Sequence, residues 1–195
     1  MTTITATQDS TAETSRPWPI AGKYSIDPSH SRLGFVARHA MITKVRGSFN
    51  DFSGSGEFYP ENQENSHVEI EIQAASIDTR NSMRDDHLRS NDFFDMEKWP
   101  TLTFASTEVL RVNDEVFRVV GDLVTKGVTK PVAIDFEYTG NATDPYGNKR
   151  VGFEGSVVVN RSDWGIVWNG ALEQGGVLVG EKVTLEFEIS AILED

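Results

Sequence analysis

Cysteine is absent from the 195 residues, which excludes structural disulfides and thiolate metal sites. No apolar run reaches the length of a membrane span, so stable membrane insertion is not expected. Positive charge is scarce: 18 Lys and Arg stand against 30 Asp and Glu, a formal net charge of -12 and a pI of about 4.7. A uniform balance of that sign repels phosphate backbones and anionic lipid surfaces. Nucleic-acid partners are therefore not expected and a membrane-surface role is disfavoured, while a local basic site for one anionic group stays compatible. The N-terminus lacks the basic start and apolar run of a secretory signal. Its Ser- and Thr-rich composition predicts a disordered tail over residues 1–17, with one domain over 18–195 beginning near Trp18, in the cytoplasm. A homodimer is left open.

Catalytic and cofactor motifs are missing as well. There is no Gly-rich phosphate loop and no Gly-x-Ser-x-Gly elbow. The four histidines, His30, His39, His67 and His87, include no His-Glu-x-x-His arrangement and no pair at i,i+4. A metal site would need His39 and His87 to meet across space with an acid. Neither a metal nor a cofactor is expected.

What the sequence does have is alternation. Val68, Ile70, Ile72 and Ala74 share one face, and Glu69, Glu71 and Gln73 the other. Val132, Ile134, Phe136 and Tyr138 repeat the pattern, as do Val183, Leu185, Phe187, Ile189 and Ala191. Strands with one apolar and one polar face belong to antiparallel sheet. Leu33, Phe35, Ala37 and His39 face inward if Arg32 and Arg38 face out. Gly47, Gly54 and Gly56 predict bends or bulges between Val45 and Phe58. Asn113–Glu115, Lys126–Lys130 and Asp144–Asn148 read as turns. Eight or nine strands with one wet face each and no second layer must curl on themselves or pack as a sandwich. The fold class is all-β, an antiparallel barrel of about eight strands, which has room for one small ligand.

One segment breaks the rhythm. Ser82-Met-Arg-Asp85 has the form of a capping box and predicts a short helix to about Ser90. The following stretch to Trp99 mixes bulky apolar groups with acids, so the helical segment near 82–96 is expected to cover one barrel end. Arg84 and His87 share a helix face there. They read equally as a polar patch at a pocket mouth and as a network fastening the segment to the barrel, with Asp85 as a cap. Asn160-Arg-Ser-Asp-Trp-Gly165 is the second polar cluster. Arg161 is expected to pair with Asp85 or Asp86, or to hold an anionic ligand group.

In order along the chain, these clusters resemble the YceI-like polyisoprenoid-binding family. The carrying residues are Tyr24-Ser-Ile-Asp27, His30-Ser31, Phe35, His39, Gly47-Ser-Phe49 and Phe52. They continue through Arg84-Asp85, His87-Leu88, Asp92-Phe-Phe94, Trp99-Pro100 and Phe104, then Gly121-Asp-Leu123, Lys126-Gly127, Asn160-Arg161, Asp163 and Gly165. The resemblance spans about residues 22–192. It implies a lipocalin-like barrel and an isoprenoid or other long-chain lipid in the lumen. The candidate ligand-binding residues are Phe35, His39, Phe49, Phe52, Arg84, Asp85, His87, Phe93, Phe94, Phe104, Leu123, Phe136, Arg161 and Trp164.

Three readings stay open on sequence: a noncatalytic lipid carrier, an enzyme using His39 and His87 as acid-base groups on an apolar substrate, and a solid-core interaction module. Lumen size separates the first from the third, because Phe35, Phe49, Phe104 and Phe136 either line a tunnel or fill it.

Overall fold

The alternating segments become strands joined into one antiparallel sheet in a computed structural model of the chain, which describes residues 19–173 and 175–194. The expected tail and Trp18 lie outside the described residues. The strands are β1 (Gly22–Ile26), β2 (Arg32–His39), β3 (Thr43–Phe49), β4 (Phe52–Phe58), β5 (His67–Gln73) and β6 (Ile77–Asp78). After helix α1 (Ser82–Arg89) come β7 (Thr101–Arg111), β8 (Val116–Thr125), β9 (Val128–Thr143), β10 (Lys149–Asn160) and β11 (Val179–Leu193).

The sheet closes because β11 is long enough to serve two partners. Its C-terminal part pairs with β1 (Tyr24 opposite Leu193) and its N-terminal part with β2 (Ala37 opposite Val183). β1 and β2 thus form one bent stave, β3 and β4 a second, and β5 and β6 a third. Together with β7 to β11 they make a closed barrel of eight staves, in agreement with the sequence reading. Closure removes the free edges that a long open sheet would expose.

Gly47, Gly54 and Gly56 do not mark bulges as expected. The β2–β3 and β4–β5 ladders run through them without a shift, and the register slips instead at Ser106/Glu108, Gly152/Phe153 and Val179/Val183. The glycines serve close approach: a Cβ on Gly56 would stand 2.4 Å from the His67 carbonyl oxygen. The turn joining β8 to β9 uses glycine differently. Lys126 and Gly127 both have positive φ, 51° and 70°, the tight-hairpin geometry whose twist suits the flanking strands.

The helix begins one residue earlier than the capping-box pattern suggests. Asn81 is the N-cap, its Oδ1 accepting from the Arg84 N–H at 3.0 Å. Asp85 is buried and accepts instead from the Thr79 N–H (2.9 Å) and Oγ1 (2.5 Å). Arg89 donates to the carbonyls of Ala75 and Ile77, so the helix is stapled to the chain entering it. At one end of the barrel Leu33, Phe52, Ile72 and Ile77 are packed with Leu88 and Phe94 of the helical segment. At the other, Tyr24, Phe117, Tyr138 and Val151 gather with Phe58 and Phe153. Each fully buried large side chain contributes about 1.5–3 kcal/mol. Among the described residues no helix is long and apolar enough to cross a membrane.

Candidate ligand-binding lumen

Between the two end clusters the inward faces leave a cavity of about 310 Å³, within the size range of small-molecule pockets. The wall repeats the sequence alternation: Val132, Ile134 and Phe136 from β9 face Val183, Leu185, Phe187 and Ile189 from β11. Aromatic rings meet along the wall rather than across it, Phe136 with Phe187 at 5.7 Å and Phe35 with Phe49 at 6.0 Å between centroids. The barrel is therefore not filled by its own side chains. The helical segment covers one end as expected, contributing Leu88, Phe93 and Phe94 to the wall, with Phe94 edge-on to Phe49. The loop after β10 contributes Arg161, Trp164 and Ile166 at the same end.

Of the candidate residues, Phe35, Phe49, Phe93, Phe94, Phe104, Leu123, Phe136, Arg161 and Trp164 line the lumen. Phe52, His39, Arg84, Asp85 and His87 do not. Phe52 is consumed in the core cluster beside Ile72. His39 ends β2 exposed, between Val179 and Thr43. Arg84 turns to Thr79, donating to its Oγ1 at 2.7 Å and its carbonyl at 2.8 Å. Both Arg84 and Asp85 therefore answer to the backbone that leads into the helix, the fastening role rather than the pocket-mouth role. His87 sits 2.8 Å from Asp92 through Nε2 and edge-on to Phe93 and Trp168, tying the helical segment to the loop after β10. Neither His39 nor His87 lines the lumen wall. Among the described residues no group of three or more His, Asp and Glu is placed to hold a metal.

Arg161 departs from expectation in its partners. Asp85 is held by Thr79 and Asp86 by Arg89 at 3.0 Å, and Arg161 pairs with neither. Its Nε donates to the Gly180 carbonyl (3.0 Å), Nη1 to Ile166 (2.7 Å) and Nη2 to Val179 (3.3 Å). This anchors the loop to the start of β11. Three of a guanidinium's five N–H groups are thereby used, and no carboxylate lies within ion-pair distance among the described residues. Burial pushes its pKa below the ordinary value, with Glu181 opposing. Nearby, Trp164 donates through Nε1 to the Leu123 carbonyl at 3.0 Å. Two residues further along β8, Thr125 also lines the lumen, 5% exposed, and its Oγ1 has no hydrogen-bond partner among the described residues. Sequence reading missed Thr125, whose hydroxyl gives no signal of burial although it lies in phase with Leu123 at the end of β8. It also missed the lumen-lining Phe117 and Phe153, which extending the alternation along β8 and β10 would have found.

Comparison with known proteins agrees with this architecture. Over 147 residues the chain is 41% identical to a UPF0312 protein of Photorhabdus laumondii, covering 74% of this chain and 76% of that one. A UPF0312 protein of Yersinia enterocolitica is 40% identical over 149 residues, with coverages of 75% and 77%. Burkholderia cenocepacia BcnA superposes with a TM-score of 0.74 at 23% identity, over 85% of this chain and 98% of that one. A polyisoprenoid binding domain from Saccharophagus degradans superposes with a TM-score of 0.67 at 15% identity, covering 88% and 98%. A family model described as the YceI-like domain matches residues 24–191, which takes in the barrel from Tyr24 to Ala191, and the chain belongs to that family.

Proposed function

We propose that the protein binds a long-chain apolar or amphiphilic ligand, an isoprenoid or similar lipid, in the barrel lumen and acts as a noncatalytic carrier or sequestering protein in the cytoplasm. The observation that carries this reading is the open, almost wholly apolar cavity of about 310 Å³. A solid-core module would leave no such space. Membership of the YceI-like family and the likeness to a polyisoprenoid binding domain support the ligand class. Each methylene moved from water into the lumen contributes about 0.8 kcal/mol, so twenty carbons give about 16 kcal/mol gross. Ordering the chain and losing its free motion offset much of that. The nine candidate residues that line the lumen form the proposed contact set, joined by Thr125. Arg161 and Thr125 supply the polar atoms at the capped end, where they orient an acceptor-bearing head group.

Organic extraction of the purified protein followed by mass spectrometry tests the reading. A long-chain amphiphile should be released, or the emptied protein should take one up stoichiometrically. Empty extracts, together with no binding across a panel of prenyl and acyl lipids, sink it.

A further inference from the structure

The net charge conceals a span of opposite character. Residues 28–50 hold four of the chain's 18 Lys and Arg and none of its 30 Asp and Glu. Most of that span is the β2–β3 hairpin, whose turn at residues 40–42 projects from the barrel end capped by the helical segment. Arg32 is matched by Glu186 and Glu188, but Arg38, Lys44 and Arg46 have no carboxylate partner among the described residues. Arg38 stands directly opposite Lys44 in the ladder, and like charges facing each other across strands are destabilising. In a shallow groove on the outside of the same wall, Arg38 and Lys44 are joined by Lys182, with Glu181 as the one acid.

The apolar residues here are equally at odds with folding alone. Met41 is 59% and Ile42 77% exposed, and Val158 and Val177 beside them are exposed too. Ala40 and Met41 both adopt positive φ, 48° and 59°, with the Ile42 N–H closing the turn on the His39 carbonyl at 3.0 Å. Such a turn favours Asn-Gly, and residues with side chains are strained in it. Strain, facing cations and solvent-exposed methionine and isoleucine at one tip all disfavour the isolated protein. An anionic bilayer surface compensates for the last two: cations are drawn to its potential, and apolar tips bury in the headgroup region.

We propose that the β2–β3 hairpin is a docking element for an anionic membrane surface, reversible and without insertion of the barrel. The inference rests on the lipid-carrier reading, for which it supplies the donor or acceptor of the cargo. Ala37 and Val179, the latter paired with His39, both line the lumen, so the docked tip lies next to the end of the cavity. The proposal departs from the expectation drawn from net charge, because attraction to a surface is decided within about one Debye length, roughly 8–10 Å in ordinary salt, and not by the whole chain.

Co-sedimentation of the full chain with phosphatidylcholine vesicles and with mixed phosphatidylcholine–phosphatidylglycerol vesicles tests the proposal. The protein should bind the mixed vesicles only, and release in high salt. Arg38→Gln with Lys44→Gln should weaken binding about thirtyfold, at about fivefold per cation near such a surface. Ala40→Asn with Met41→Gly should relax the turn, raising the melting temperature while also weakening binding. A structural role for Met41 predicts the reverse for stability. In parallel, all variants should take up a dissolved acyl or prenyl probe as wild type does. Failure of vesicle binding with probe uptake intact overturns the docking proposal alone, whereas failure of probe uptake in wild type overturns the carrier reading. A dimer that forms without vesicles and dissolves in the same variants would reassign the patch to a second copy of the chain.

Discussion

Thr125 buries a hydroxyl that has no partner among the described residues, and an unsatisfied buried polar group costs about 1–3 kcal/mol. Replacing it by valine keeps the shape and removes that cost. Thr125→Val should therefore raise the stability of the empty protein by about 1 kcal/mol while weakening a head-bearing lipid more than its hydrocarbon counterpart. Melting curves and paired titrations measure both; unchanged discrimination between the two ligands removes Thr125 from the site. Arg84 gives the contrasting case, since its guanidinium is bound to Thr79. Arg84→Met should lower the melting temperature and leave the ratio of the two affinities as it was, and a selective loss of head-bearing ligand would return Arg84 to the lumen. Why the sequence could not sort these side chains is a matter of range. Phe35, Phe104 and Phe136 are inward because alternation along their own strands says so. A long arginine is steered by carbonyls at residues 166, 179 and 180, which no local pattern reveals.

Strands and turns were legible where a local rule decides them. The 113–115 and 144–148 turns, the alternation of β5, β9 and β11 and the helical break all stand where the pattern puts them. Closure was legible only as a necessity, because the pairing of β1 and β2 with different halves of β11 joins residues 140 or more positions apart. That seam carries an ionic lock. Arg150 on β10 donates to Asp27 after β1 at 2.6 Å and to Asp144 in the β9–β10 turn at 2.8 Å. The Arg150 hydrogen bond, aided by His30, holds Asp27 at a pKa of about 2. Hydrogen bonds from Asn148 and Arg150 hold Asp144 lower still. A depressed carboxylate pKa stabilises the fold above the unfolded value near 4 and loses that contribution as pH falls through the folded one. Urea midpoints should thus be flat in this respect above about pH 4 and decline between about pH 4 and 2. Arg150→Met should flatten the decline. An equally steep acid limb in the mutant would place the lost stability elsewhere.

At the scale of the whole barrel, the empty lumen is a cost that ligand removes. Unfilled apolar space forfeits packing on every wall that faces it, so the folded state binds cargo that the unfolded chain cannot. Linkage then gives about 2.7 kcal/mol of extra stability at a ligand concentration a hundred times Kd. For a domain of this size each kcal/mol moves Tm by about 2–4 °C, so a saturating prenyl or acyl lipid should raise it by about 5–11 °C. A larger side chain in the lumen offers the same filling from within. Val183 lines the wall on β11 and is only half-buried, so Val183→Phe has apolar space to enter. It should keep or raise the Tm of the empty protein, because the apolar space it fills offsets the roughly 1–3 kcal/mol that overpacking can cost, and should abolish most of the ligand-induced rise. Differential scanning calorimetry of both proteins with and without lipid decides the matter. If the variant's ligand-induced rise equals that of wild type, the ligand is not in the lumen, and the binding surface has to be sought on the outside of the barrel.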